Sequence, residues 1–193
     1  LTTERSRIMR DVHDGIGSQL LGLLIQARGG HAAGESLIAG IQTALDDLYL
    51  VVDSLDQVDG PLETALGTFR ARIEPKCAAA GIAIDWRVES IGDTNTVGPT
   101  SVLQIYRILQ EALSNAIRHG KPNRLAFGLR RHPRDQGQVE ISLQDDGSGF
   151  DPKKNATIGR GLANMRKRAA SIGGMLDVTS DAGGSCVRIV LPV

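Results

Sequence analysis

Between residues 38 and 55 the apolar side chains Ile38, Ile41, Leu45, Leu48, Val52 and Leu55 recur at alternating spacings of three and four. That is the a/d repeat of helices packed in a bundle or coiled coil, and it predicts a helix from Glu35 to about Val58. An earlier run, Ile8, Val12, Ile16, Leu20, Leu23 and Ala27, recurs at spacings of three and four on one helix face and predicts a helix over about 2–28. Gly29, Gly30 and Gly34 interrupt the pattern, so the two helices are expected to fold back as an antiparallel hairpin. Two helices cannot enclose a core, and the hairpin is therefore expected to pair with a second copy in a four-helix bundle.

Asp59-Gly60-Pro61 marks a boundary, giving domains at 1–59 and 60–193. Beyond it Leu62, Ala65, Leu66, Phe69, Ile73 and Cys77 keep helical spacing, but after Gly81 the apolar period falls to two at Ile82, Ile84, Trp86 and Val88. A helix is expected over 100–118. Two strands follow, carrying Leu125/Phe127/Leu129 and Val139/Ile141/Leu143 and joined by a turn around Asp135-Gly137. A further helix over 162–172 precedes two last strands, Leu176/Val178 and Val187/Ile189/Leu191, joined through Gly183-Gly184. Strands linked by short turns are antiparallel. With the helices grouped on one face, the second domain is an α+β, two-layer α/β sandwich.

Lys+Arg and Asp+Glu are equal at 22 each, and aromatic residues are scarce. That excludes a nucleic-acid binder, which needs a cationic surface and aromatic faces. No apolar run approaches the ~20 residues of a membrane span, so no direct membrane contact is expected. The chain opens at Leu1 inside a helical pattern, as would a soluble piece cut from something longer. Cys77 and Cys186 match no metal-ligand spacing and read as buried small hydrophobes in a reducing compartment, with a disulfide or reactive thiol as the alternative. Glycine is in excess, 23 of 193 residues against a usual share of about 7%.

Four segments carry chemistry. In Arg10-Asp11-Val12-His13-Asp14-Gly15 an imidazole sits at the edge of the helix's apolar face beside a carboxylate. A neutral imidazole so placed can act as a nucleophile, the acid orienting the ring and accepting its proton. Gly15, Gly17 and Gly22 each cost roughly 1 kcal/mol in a helix interior and suggest a second body approaching closely. In the second segment Glu111, Asn115 and His119 recur at four-residue spacing, a stripe able to hold Mg²⁺ and phosphates or simply to face solvent. In the third, Asp145-Asp146-Gly147-Ser148-Gly149-Phe150 follows a strand, where glycines permit close backbone approach and a carboxylate can accept from an exocyclic amine such as that of adenine. In the fourth, Gly159-Arg160-Gly161-Leu162 opens a helix whose free N–H groups suit an anionic phosphate.

Taken in order, His13-Asp14, Glu111/Asn115/His119, Asp145/Gly147/Gly149, Gly159/Gly161 and Gly183-Gly184-Ser185 before Leu191-Pro192 resemble two-component sensor histidine kinases across nearly the whole chain. Glu4-Arg5 ahead of Val12-His13-Asp14 is similar to the NarX/DesK-like subfamily. The resemblance implies a dimerisation and histidine-phosphotransfer hairpin followed by a Bergerat-type ATP-binding domain shared with gyrase, Hsp90 and MutL. It further implies that His13 is phosphorylated from MgATP with Asp14 as activating base, and that the phosphoryl group passes to a response-regulator aspartate. Asn115 would hold Mg²⁺ with Glu111, Arg118 and His119 nearby. Asp145 would recognise adenine, Gly147 and Gly149 would shape its pocket, and Ser185 would stand close to that aspartate. Gly159, Arg160, Gly161 and Leu162 would close the phosphate side.

One position departs from the pattern. Members with strong phosphatase activity resemble His-Asp-x-x-x-Gln, whereas Ser18 occupies that place here and the amide follows at Gln19, about 100° further round the helix. Two rivals stand beside the kinase reading: an ATPase of the same fold using Glu111 to activate water, and a dimeric scaffold without catalysis.

Overall fold

The computed structural model describes residues 20–25, 27, 34–56, 60–92, 96–150 and 160–192. The chain divides into two compact units, Leu1–Val58 and Asp59–Val193.

In the first unit residues 20–25 and 27 are helical (α1), and α2 spans Gly34–Asp56. A Cβ built on Gly40 would fall 2.2 Å from the Leu23 Cδ2, so the Leu23 side chain packs directly over the Gly40 backbone. Around Gly22 a Cβ would meet nothing within 4 Å among the described residues. Gly15 and Gly17 lie outside them. Along α2 the buried residues are Ala44, Leu50, Val51 and Ser54. The predicted seam residues Ile38, Ile41, Leu45, Leu48 and Val52 are instead exposed, from 39% at Leu48 to 62% at Ile38. The helix thus has two apolar faces, and the unit buries the one that the a/d pattern does not mark.

The second unit is a mixed sheet covered by helices. Its helices are α3 (Leu62–Ala79), α4 (Pro99–Asn115) and α5 (Arg160–Ser171). The strands β2 (Ala83–Val88), β4 (Arg124–His132), β5 (Asp135–Asp145), β6 (Met175–Asp181) and β7 (Gly184–Pro192) form one sheet in the order β2-β4-β5-β7-β6. The β4–β5, β5–β7 and β6–β7 pairs are antiparallel. β2 pairs parallel with β4, Trp86 opposite Phe127, because the chain crosses over through α4 rather than turning back. A ribbon of β1 (Gly60–Pro61) and β3 (Thr96–Val97) is too short for any period-two signal and went unpredicted. The β4–β5 turn falls at 133–134, so Asp135 and Gly137 belong to β5 rather than to the turn.

Leu125, Phe127, Leu129, Val139, Ile141, Leu143, Val187, Ile189 and Leu191 alternate along their strands and are buried under the helices. α4 brings Val102, Leu103, Ile105, Tyr106, Leu109 and Leu113, while α3 brings Leu62, Leu66, Phe69 and Ile73. Ring contacts run from Tyr106 to Phe69 (5.7 Å), on to Phe127 (6.5 Å) and to Trp86 (3.9 Å, nearly parallel). The other sheet face is polar. There Glu140, although buried, sits between Arg130 (2.7 Å) and Arg188 (3.3 Å), so its charge is paired. Cys77 is fully buried, but Cys186 lies half-buried and not enclosed as expected; both are free thiols, and burial raises the pKa of each. Among the described residues no helix is long and apolar enough to cross a membrane.

The Tyr106 hydroxyl donates to the Ala65 carbonyl at 2.6 Å inside this core, locking α4 to α3. Tyr106→Phe removes that bond and is expected to cost about 1 kcal/mol, read from denaturant unfolding followed by Trp86 fluorescence; an unchanged midpoint would show that the bond locks nothing.

Candidate functional site

α4 turns one apolar face to the sheet, and its polar rim carries Glu111 and Asn115 at half exposure. At Ala116–Gly120 the helix widens into a π turn, closed by the Lys121 N–H on the Ala116 carbonyl at 3.1 Å, with Lys121 itself left-handed at φ 49°. The π turn was not legible in the sequence, which reads as one helix to Arg118. It keeps His119 on the rim of the same cleft as Glu111 and Asn115.

That cleft has a volume of about 440 Å³ and lies between α4, the sheet and α5. Its floor is Leu143, Asp145 and Val187, and Ala112, Ala116, Leu162 and Met165 line its sides with apolar surface. Gly149, Phe150, Gly161 and Ser185 complete it. Asp145 ends β5 buried at 6% exposure. Its Oδ1 accepts the Gly147 N–H at 2.9 Å, which leaves Oδ2 for a donor entering the cleft. A buried carboxylate on an apolar floor is an arrangement that fixes one polar contact within an otherwise hydrophobic seat.

At the other end the Asn115 amide donates to Glu111 Oε1 at 3.4 Å, leaving the Asn115 amide oxygen and Glu111 Oε2 as oxygen donors. Two oxygen donors suit Mg²⁺, which keeps waters and takes its remaining ligands from substrate phosphates. The first turn of α5 presses against this pair, since a Cβ on Gly161 would lie 2.4 Å from Glu111 Oε1.

The β6–β7 hairpin braces the floor. Ser180 Oγ accepts the Phe150 N–H at 2.8 Å and lies 3.0 Å from Ser185 Oγ. Gly149 and Gly184 have positive φ, and a Cβ on either would fall 1.8 Å from the Asp181 carbonyl or 2.0 Å from that of Asp145. Gly184 therefore serves a backbone crossing against Asp145 and not only the hairpin turn.

Glu111, Asn115, His119, Asp145, Gly149, Gly161, Leu162 and Ser185 thus come together. Arg118 is exposed and lines no part of the cleft, and Gly147 lies behind it against Gly120. Arg160 is the first residue of α5. His13, Asp14, Ser18 and Gly159 lie outside the described residues. Ser180, Phe150 and Met165 were not singled out from the sequence; the last two carry only an apolar signal, which the core explains equally well.

The family described as "Histidine kinase-, DNA gyrase B-, and HSP90-like ATPase" matches residues 100–193, the stretch that builds this cleft. Residues 100–193 carry that ATPase domain, and the chain is similar to sensor histidine kinases along most of its length. Sensor histidine kinase MctS of Rhizobium johnstonii is 29% identical over 98% of this chain and 43% of its own length. Sensor histidine kinase LnrJ of Bacillus subtilis is 30% identical over 92% of this chain and 45% of its own length. The chain therefore spans less than half of either relative. The histidine kinase domain of the blue-light activated kinase EL346 from Erythrobacter litoralis shares the fold, with a TM-score of 0.66 at 20% identity over 98% of this chain and 93% of that one.

In this histidine kinase fold, Gly184→Ala is expected to cost about 2–3 kcal/mol, whereas Gly183→Ala, whose Cβ would meet only the Asp181 side chain at 3.2 Å, costs much less. Thermal unfolding of the two variants checks this, and equal midpoints would contradict the crossing at Asp145.

Proposed function

We propose that this chain is an ATP-dependent protein histidine kinase core: 1–59 the dimerisation and phosphotransfer hairpin, 60–193 the ATP-binding domain. The observation that carries the reading is the cleft itself, with a buried carboxylate on an apolar floor at one end and the Glu111–Asn115 oxygen pair at the other. Adenine fits the first end, its exocyclic amine donating to Asp145 while Leu143, Val187 and Met165 cover the ring. The triphosphate then runs toward Asn115, His119 and the start of α5, whose unpaired N–H groups and positive dipole end favour anions. Arg118, exposed next to His119 in the chain, adds positive charge on the π turn without forming a wall. Asn115 would hold Mg²⁺, which would supply charge neutralisation at the transferring group.

His13 attacks the γ-phosphorus in line. An N–P bond forms, the bond from the γ-phosphorus to the bridging oxygen breaks, ADP leaves, and Asp14 takes the ring proton. A response-regulator aspartate docked near His13 then receives the phosphoryl group. Ser18 stands where the phosphatase pattern has glutamine, with the amide following at Gln19, and kinase activity is the one assigned. The exposed row from Ile38 to Val52 is the face we assign to a second copy of the hairpin, because an apolar stripe that its own unit leaves uncovered is satisfied by self-association. The chain is then the cytoplasmic part of a longer sensor.

Incubation with γ-labelled ATP should label the wild type with an acid-labile phosphate and leave His13→Gln and Asp145→Asn unlabelled. Label surviving in His13→Gln, or steady phosphate release with no phosphoprotein, would overturn the assignment, the latter in favour of a Glu111-dependent ATPase. Val52→Glu should convert the dimer to a monomer in sedimentation velocity; a dimer that persists unchanged would place the interface elsewhere.

A further inference from the structure

Asp145 and Asp146 are neighbours with opposite surroundings. Asp145 is buried on the cleft floor, whereas Asp146 is exposed and lines no part of the cleft. Yet Asp146 Oδ1 accepts two backbone N–H groups, from Asn123 at 2.8 Å and from Arg124 at 2.9 Å. Its own N–H donates to the Arg124 carbonyl at 3.3 Å. The Arg124 N–H is the main reason the Asp146 carboxyl is held below the usual aspartate range.

The residues it grips are those that leave the π turn. Just ahead of them Lys121 holds a left-handed backbone, a conformation that non-glycine residues keep only when their surroundings impose it. The next contacts repeat the link. The Ser148 N–H donates to the Gly120 carbonyl at 3.0 Å, and the Ser148 hydroxyl to the His119 carbonyl at 3.4 Å. Gly147 packs so tightly on Gly120 that a Cβ would fall 2.5 Å from its carbonyl oxygen. The 145–148 loop and the 119–124 turn are therefore joined residue by residue. One side holds the carboxylate of the cleft floor, and the other ends the helix that holds Asn115 and His119.

We propose that Asp146 is a positioning residue for the nucleotide: it sets the distance between the Asp145 carboxylate and the Asn115/His119 end of α4, and so controls nucleotide affinity without touching the ligand. Its function is that of an acceptor, since both bonds end on one oxygen. Asparagine offers the same oxygen at the same reach, whereas alanine offers none and leaves two strand-entry N–H groups to water. The inference rests on the reading of the cleft as a nucleotide site.

The test uses the full chain with MgADP as probe, by calorimetric titration, alongside thermal unfolding and amide hydrogen exchange. Asp146→Ala should weaken MgADP about tenfold and speed exchange at Asn123 and Arg124, and Asp146→Asn should restore both to within about twofold of wild type. Asp146→Ser, too short to span both N–H groups, should behave as the alanine variant and replaces it if that variant does not fold. Wild-type affinity in the alanine or serine variant would overturn the inference while leaving the nucleotide site intact. So would a loss that asparagine does not rescue. Absence of MgADP binding by the wild type would instead remove the nucleotide reading on which the inference stands.

Discussion

The second unit depends on the burial of α4 against the sheet. Tyr106, Phe69, Phe127 and Trp86 form a continuous line of ring contacts from α4 through α3 into β4 and β2. Few aromatic residues exist elsewhere in the chain, so this line concentrates the largest apolar surfaces at one junction. Because α4 is fixed by that face, the polar residues on its rim are fixed as well. Glu111 and Asn115 stand where they do because Ile108, Ala112 and Leu113 are buried beside them. A helix docked less firmly would let the amide, the carboxylate and the imidazole shift relative to Asp145, and the cleft would lose its two-ended character.

Around that anchor, backbone crossings that only glycine permits bring the loops close. Gly147 lies on Gly120, Gly149 against Asp181 and Gly184 against Asp145. The glycine excess of the sequence is thereby explained in part as contact between segments distant in the chain. No spacing rule reports such contacts, which is why Gly183-Gly184 reads as a turn and Gly120 and Gly40 attract no notice.

What was legible followed from periodicity. The alternation in Leu125/Phe127/Leu129 and in Val139/Ile141/Leu143 reports one buried face, and those residues are the core. The parallel pairing of β2 with β4 was not legible, because alternation is the same in parallel and antiparallel strands when one face is open. The π turn at Ala116–Gly120 escaped for a related reason: Ala116 to His119 carry ordinary helical propensities, which do not distinguish a wider turn from an α-turn. In α2 the a/d pattern marked an apolar face correctly as apolar, but within its own unit that face is exposed. Of the site, the polar residues announced themselves by motif, while Phe150, Met165 and Ser180 gave no signal separable from packing.

The account stands on one claim: that the space between α4, Asp145 and α5 holds an adenine nucleotide. Amide chemical-shift mapping of the isotopically labelled chain with MgADP tests it most directly. The account predicts the largest shifts at the Asp145, Gly149 and Gly161 backbone amides and at the Asn115 side-chain amide, with little change across the polar sheet face around Glu140. Shifts confined to other surfaces, or a spectrum that MgADP leaves unchanged, would contradict it.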